Sequence, residues 1–237
     1  PAGAQSGFAG VLAGSGDRQA TSCVAAGAPR TVYYGARPVE GEAATASAMA
    51  DGYRSVLDES GPADVLGVSM GVFLTLALAR QDDRGRSVTL ALAAARLSRH
   101  GRESLKKWSE WAHSGQWRKV YRAGLNTVTD GWRNRVAAPA IRAFTRLPDH
   151  PTEAFRRSLA IATGFDATAW LGELSVPSLI VGGTADPFFT ARRFATTADA
   201  LGGRYERLDG WGHYVLIDGG RRVDKPVARF LNRSQEA

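Results

Sequence analysis

Three short segments hold side chains whose types and spacing could do nucleophilic chemistry. Gly67-Val68-Ser69-Met70-Gly71 sets a serine between small residues, Asp186 stands in the segment GGTADP, and His213 in GWGHY. A hydroxyl is a poor nucleophile until a base takes its proton, and an imidazole serves as that base when a carboxylate fixes its tautomer. Small residues two before and two after Ser69 let a strand and a helix approach closely across a strained turn, from which the hydroxyl projects. A helix opening at Met70 would also offer backbone N–H groups and a positive dipole end to a developing oxyanion. In a chain with 27 glycines the G-x-S-x-G pattern alone says little; its weight comes from an apolar strand before it and an apolar helix after.

The candidates for acid and base are few. Of the four histidines, His100, His113 and His150 lie among charged or turn residues in or beside a helical stretch. His213 alone follows the last expected strand, just after Gly210 and Gly212, where a sharp turn can aim the ring back across the strand ends. Asp186 directly follows the apolar run PSLIV, so its turn falls at the same sheet edge as Ser69. Asp209 competes for the acid role, although its place before GWGH suits a turn cap; Asp82 and Asp83 belong to a polar loop at the opposite edge.

The elements that must position these groups follow from periodicity. Strands are expected at 8–12, 30–34, 63–67, 87–93, 177–182 and 204–208, with the Gly-rich segment AGSGD as a turn after the first. Helices are expected at 44–57, 70–79, 191–201 and 220–232, the last with Val223, Val227, Phe230 and Leu231 on one face. This alternation reads as an α/β domain with a mostly parallel central sheet. From 96 to 170 it breaks: Leu105, Trp108 and Ala112, then Trp117, Val120, Tyr121, Gly124, Leu125 and Val128, recur at helical spacing with no strand between. The expectation is a core of 1–95 and 171–237 with 96–170 inserted as a helical lid.

That segment is chemically distinct. It holds Trp108, Trp111, Trp117, Trp132 and Trp170, five of the six tryptophans, and 14 Lys+Arg against 6 Asp+Glu, a net of +8 in a chain of net +7. A lid has little interior, so some of these rings should face the cleft; Trp108, Trp132 and Trp211 are the expected substrate contacts. An apolar or aromatic small-molecule substrate is implied, with an anionic substituent or an acidic carrier protein as the partner that the positive charge would attract.

Composition excludes other classes. The chain of 237 residues is 44% hydrophobic and 22% charged, a globular balance, and no apolar run is long enough for a membrane span. Its single cysteine, Cys23, forms no internal disulfide and no multi-cysteine metal site. No nucleic-acid-binding motif appears, and the first residues carry no signal-peptide pattern, so the expected location is cytoplasmic.

The order Ser69, Asp186, His213, with GVSMG, VGGTADP and GWGH in strand context, resembles the α/β-hydrolase superfamily from about Phe8 onward. The resemblance implies that Ser69 is the nucleophile, Asp186 the acid and His213 the base, with the Met70 backbone N–H in the oxyanion hole. It implies two-step acyl transfer with no metal or organic cofactor. The His-Gly pair usual after the family's first long strand is absent; its nearest match is AGSG at 13–16, which assigns the second oxyanion donor to Ser15. The family's early antiparallel strands are also missing from the expected elements, which leaves the sheet shortened or the chain incomplete. The expected function is hydrolysis of a carboxylic ester, lactone or related acyl bond. A thioesterase on a carrier or coenzyme A thioester is the alternative within enzymes, and a slow-turnover ligand-binding or receptor module the alternative outside them.

Overall fold

The computed structural model describes residues 7–11, 16–25, 28–36, 45–128, 153–213 and 215–233. The strands are β1 (Gly7–Val11), β2 (Gly16–Ala25), β3 (Ala28–Ala36), β4 (Ala63–Val68), β5 (Gly85–Ala91), β6 (Ser178–Gly183) and β7 (Arg204–Leu208). The helices are α1 (Ala46–Ser60), α2 (Gly71–Gln81), α3 (Arg99–His113), α4 (Trp117–Val128), α5 (Glu153–Gly164), α6 (Ala191–Ala200) and α7 (Val215–Arg233). They form a seven-stranded sheet of order β2-β3-β1-β4-β5-β6-β7, parallel throughout except for the antiparallel pair β2/β3.

Side-chain alternation divides the core between the two faces of that sheet. Val65, Val88, Leu90 and Ile180 face a cluster with α1, α2 and α6. Leu66, Val68, Leu179 and Val181 face the other way, toward Val223, Val227 and Leu231 of α7. This is the period-two pattern of strands covered on both faces. Helix α2 is buried along Gly71–Leu78, which explains an apolar run too continuous to show an amphipathic period. Each fully buried leucine or phenylalanine there stabilises the fold by about 1.5–3 kcal/mol.

Two elements differ from the sequence expectation. Residues 16–25 form the antiparallel strand β2 rather than a turn and its sequel, so the sheet does contain an antiparallel strand at its edge. An edge strand pairs on one side only and needs no strong apolar alternation, so GDRQATSCVA gives little signal. Helix α7 begins at Val215 and not near 220, running through Gly219-Gly220, a pair that reads as a boundary. The remaining strands agree to within two residues at their ends.

Between β5 and β6 the described residues contain α3, α4, α5 and a single 3₁₀ turn at Leu171–Glu173, with no named strand. The ends of this stretch are pinned together by an isolated bridge between Arg96 and Asp166 and by Ala167 N–H donating to Ala95 O at 3.0 Å. Among the described residues no helix is long and apolar enough to cross a membrane.

Candidate active site

Strand β4 delivers Ser69 at its C-terminal end, where the backbone turns into α2. Ser69 has φ 53°, one of two positive-φ non-glycine residues among those described, so the turn is strained as the sequence pattern requires. Its N–H donates to Ala91 O at 2.8 Å, which ties the turn to the end of β5. A Cβ at Gly67 would lie 2.6 Å from Gly71 O and 2.6 Å from Thr75 Oγ1, so only glycine lets strand and helix close on each other. Met70 is the N-cap of α2, and the first N–H groups of a helix have no intrahelical acceptor.

Asp186 and His213 reach Ser69 from the ends of β6 and β7. Their two loops are laced together: Thr184 N–H donates to Leu208 O at 3.0 Å, Ala185 N–H to Trp211 O at 3.0 Å, and Gly210 N–H to Thr184 Oγ1 at 2.8 Å. Gly183 sits where a Cβ would run into the Trp211 carbonyl, so this lacing also depends on a missing side chain. Gly210, at φ 76°, makes the turn that follows β7.

The result is a continuous relay. Ser69 Oγ lies 2.8 Å from His213 Nε2, and His213 Nδ1 lies 2.7 Å from Asp186 Oδ2. The other carboxylate oxygen, Oδ1, accepts from Phe188 N–H at 2.8 Å and Phe189 N–H at 3.0 Å. Asp186 is therefore held as an acceptor, Nδ1 carries the proton it donates, and Nε2 is left to accept from the Ser69 hydroxyl. The His213 ring is 5% exposed, edge-on to Phe188 at 4.9 Å and roughly parallel to Phe189 at 6.1 Å.

The rival residues are engaged elsewhere. Asp209 is exposed and pairs with Arg207 at 2.6 Å. Asp82 caps α2 at the opposite edge of the sheet, where Arg84 and Arg54 pair with it. His100 and His113 are exposed on α3.

A cavity of about 150 Å³ opens on Ser69 and His213. Phe73 of α2, Leu105 and Trp108 of α3, Leu159 and Ala162 of α5, and Phe188 are among the residues that line it. Helix α3 is pressed onto the acid loop, because Gly101 has no room for a Cβ against Phe188 and Ser98 N–H donates to Phe188 O at 2.9 Å.

Of the expected substrate contacts, Trp108 lines the cavity and meets Phe188 edge-on at 5.7 Å. Trp211 does not line this cavity; it packs with the α7 cluster under Arg222, 5.0 Å from its ring. Trp132 and Ser15 lie outside the described residues. The remaining described tryptophans of the segment also point elsewhere: Trp117 is buried against Phe155, Trp111 meets Lys107, and Trp170 meets Arg80. Sequence reasoning missed Phe188 and Phe189; their place directly after Asp186-Pro187 was the available signal.

Solved structures of low sequence identity share this architecture. MGS-M2, an α/β-hydrolase enzyme from a Medee basin deep-sea metagenome library, superposes with TM-score 0.73 at 16% identity over 86% of this chain and 79% of its own. The enol-lactonase of Burkholderia xenovorans LB400 does so with TM-score 0.72 at 22% identity, over 96% and 92%. An esterase of Exiguobacterium antarcticum gives TM-score 0.70 at 14% identity, over 96% and 93%. No protein-family model matches the chain, and no curated protein matches it in sequence. The chain has the α/β-hydrolase fold, with the antiparallel pair at one edge and a helical stretch between β5 and β6.

Proposed function

We propose that the protein is a serine hydrolase that cleaves a carboxylic ester, lactone or related acyl bond of a small, largely apolar substrate. The observation that carries this reading is the relay from Ser69 Oγ through His213 to Asp186, at 2.8 Å and 2.7 Å, with the serine on a strained turn above the sheet. The enol-lactonase and esterase among the similar structures support an acyl bond as the target.

In this mechanism Ser69 Oγ attacks the substrate carbonyl carbon as His213 Nε2 takes its proton. Asp186 stabilises the resulting imidazolium through Nδ1, and its own position is fixed by the two phenylalanine N–H groups. The Met70 N–H binds the oxyanion of the tetrahedral intermediate. The proton returns from Nε2 to the leaving oxygen as the carbon–oxygen bond breaks, giving the acyl-enzyme. Water then repeats the sequence, with His213 again as base, and releases the acid and Ser69. The helices α3 and α5 act as a lid that contributes the apolar wall of the cavity.

The test is turnover across a panel of p-nitrophenyl esters, lactones and acyl thioesters, in the full chain and in Ser69→Ala. The reading requires turnover of at least one acyl class that Ser69→Ala abolishes. Turnover that survives the substitution contradicts it.

A further inference from the structure

A second, larger cleft lies beside the Ser69 cavity. It has a volume of about 560 Å³, within the range of about 300–1,000 Å³ usual for small-molecule sites. The segments 95–99 and 188–190 contribute residues to both, so they form a shared wall. The larger cleft has a different chemistry: Arg96, Arg99, Arg192 and Arg193 line it together with threonines, and no acidic residue does.

The four cations are not equally compensated. Arg96 is oriented by Asp166 at 3.2 Å, and Asp166 is itself held by the Thr168 N–H and hydroxyl. Arg96 Nε is buried and has no hydrogen-bond partner among the described residues. Arg99 pairs with Glu103 at 2.9 Å on the exposed side of α3. Arg192 and Arg193, consecutive in the first turn of α6, are in no ion pair among the described residues. Burial, with the nearby Arg96 guanidinium next, depresses the pKa of Arg193; the Asp166 carboxylate offsets part of this, and Arg192 and Arg102 add to the repulsion. Two positive charges are thus left facing a cleft in which like charges crowd a half-buried guanidinium. An anion would relieve that crowding. Guanidinium forks match phosphate oxygens two at a time, and the N-terminus of a ten-residue helix opens at the same place.

We infer that this cleft binds the phosphate group of a small molecule, as a dianion held by Arg192 and Arg193 with Arg96 behind it. No member of the Ser69 relay belongs to it, so it stands or falls separately from the hydrolase reading. Two guanidinium groups with no ion-pair partner among the described residues suit the two negative charges of a phosphate monoester or a diphosphate unit better than the charge of a lone carboxylate.

The experiment is calorimetric titration of inorganic phosphate and pyrophosphate into the full chain at low ionic strength. Wild type, Ser69→Ala and the distant control Arg204→Gln should bind alike, and binding should weaken as sodium chloride is added. Arg192→Gln/Arg193→Gln should bind at least tenfold more weakly while melting as a folded protein; if it does not fold, Arg192→Gln alone, at an exposed position, should still weaken binding severalfold. Absence of binding by either anion in wild type, or binding that these variants retain in full, overturns the site. The source of the phosphate is read by comparing kcat/KM for a coenzyme A thioester and a p-nitrophenyl ester of the same acyl group. A loss in the double variant that is tenfold larger for the thioester assigns the phosphate to the substrate. Equal losses, with pyrophosphate binding still weakened, assign it to a separate ligand.

Discussion

Ser69 depends on three neighbours that do no chemistry themselves. Gly67 lets the turn close, and Phe188 and Phe189 donate to the carboxylate that holds the His213 tautomer. Replacing Ser69 by Ala should lower ester turnover about 10⁴- to 10⁶-fold while leaving the melting temperature unchanged. Asp186→Asn should cost on the order of 10³- to 10⁴-fold, because the amide can present a donor where Nδ1 needs an acceptor. Asp209→Asn should cost little, since Asp209 only pairs with Arg207 at the surface. Steady-state kinetics on the two asparagine variants decide between them, and a reversed order would move the acid to Asp209. Gly183→Ala tests the lacing of the two loops: the added methyl must push the Trp211 carbonyl away, and His213 with it. It should reduce kcat far more than KM for a small acetate ester; a proportional loss of folded protein instead would mean that the loops move together.

At the scale of elements, helices α3 and α5 supply the apolar wall of the cavity, and Trp108 is the described tryptophan that faces it. Trp108→Ala should shift the preferred acyl length by roughly 1–3 kcal/mol of discrimination, while Trp111→Ala, over Lys107 at the surface, should leave it unchanged. The comparison is kcat/KM for acetate and long-chain esters in each variant; equal losses on both esters would make α3 a brace and not a selector. The strands that carry the site were legible because they are covered on both faces, and such strands write themselves as short apolar runs: VLGV, VTLA and SLIVGG. Ser69 and Asp186 were legible for a related reason, since each follows one of those runs, whereas His213 follows the half-exposed strand β7 and was marked by the glycines before it. The edge strand β2 was not, because pairing on one side leaves its sequence almost unconstrained. Nor was the packing of Trp211 against the α7 cluster, which joins segments distant in sequence. The basic cleft was half legible: the charge excess of 96–170 pointed to an anion, but Arg192 and Arg193 come from outside that segment and join it only through the fold.

Across the whole molecule, the proposed catalytic groups and a charged clamp lie at opposite edges of the sheet. The C-terminal edge carries Ser69, Asp186 and His213; near the other edge Asp82 is gripped by Arg84 and Arg54 where α2 ends. The hydrogen bond from the Arg84 guanidinium, aided by the Arg84 N–H, holds the Asp82 carboxyl down to about 2. A carboxyl whose folded pKa is depressed contributes stability above its unfolded value, near 4, and loses it as the pH falls through about 2. Acid unfolding should therefore steepen across that window in wild type, and Asp82→Asn should be less stable at neutral pH with a flatter acid limb, both read by circular dichroism. An unchanged acid limb would show that the Asp82–Arg84 pair is replaced by an equivalent contact on unfolding. The proposed hydrolase activity turns on one oxygen atom, Ser69 Oγ. A fluorophosphonate probe reacts with a serine whose proton a neighbouring base can take, and the modified residue can be mapped by peptide mass spectrometry. A single covalent adduct should form on Ser69, lost in Ser69→Ala and strongly slowed when His213 is replaced; an adduct on another serine, or none on the folded chain, would rule out Ser69 as the nucleophile.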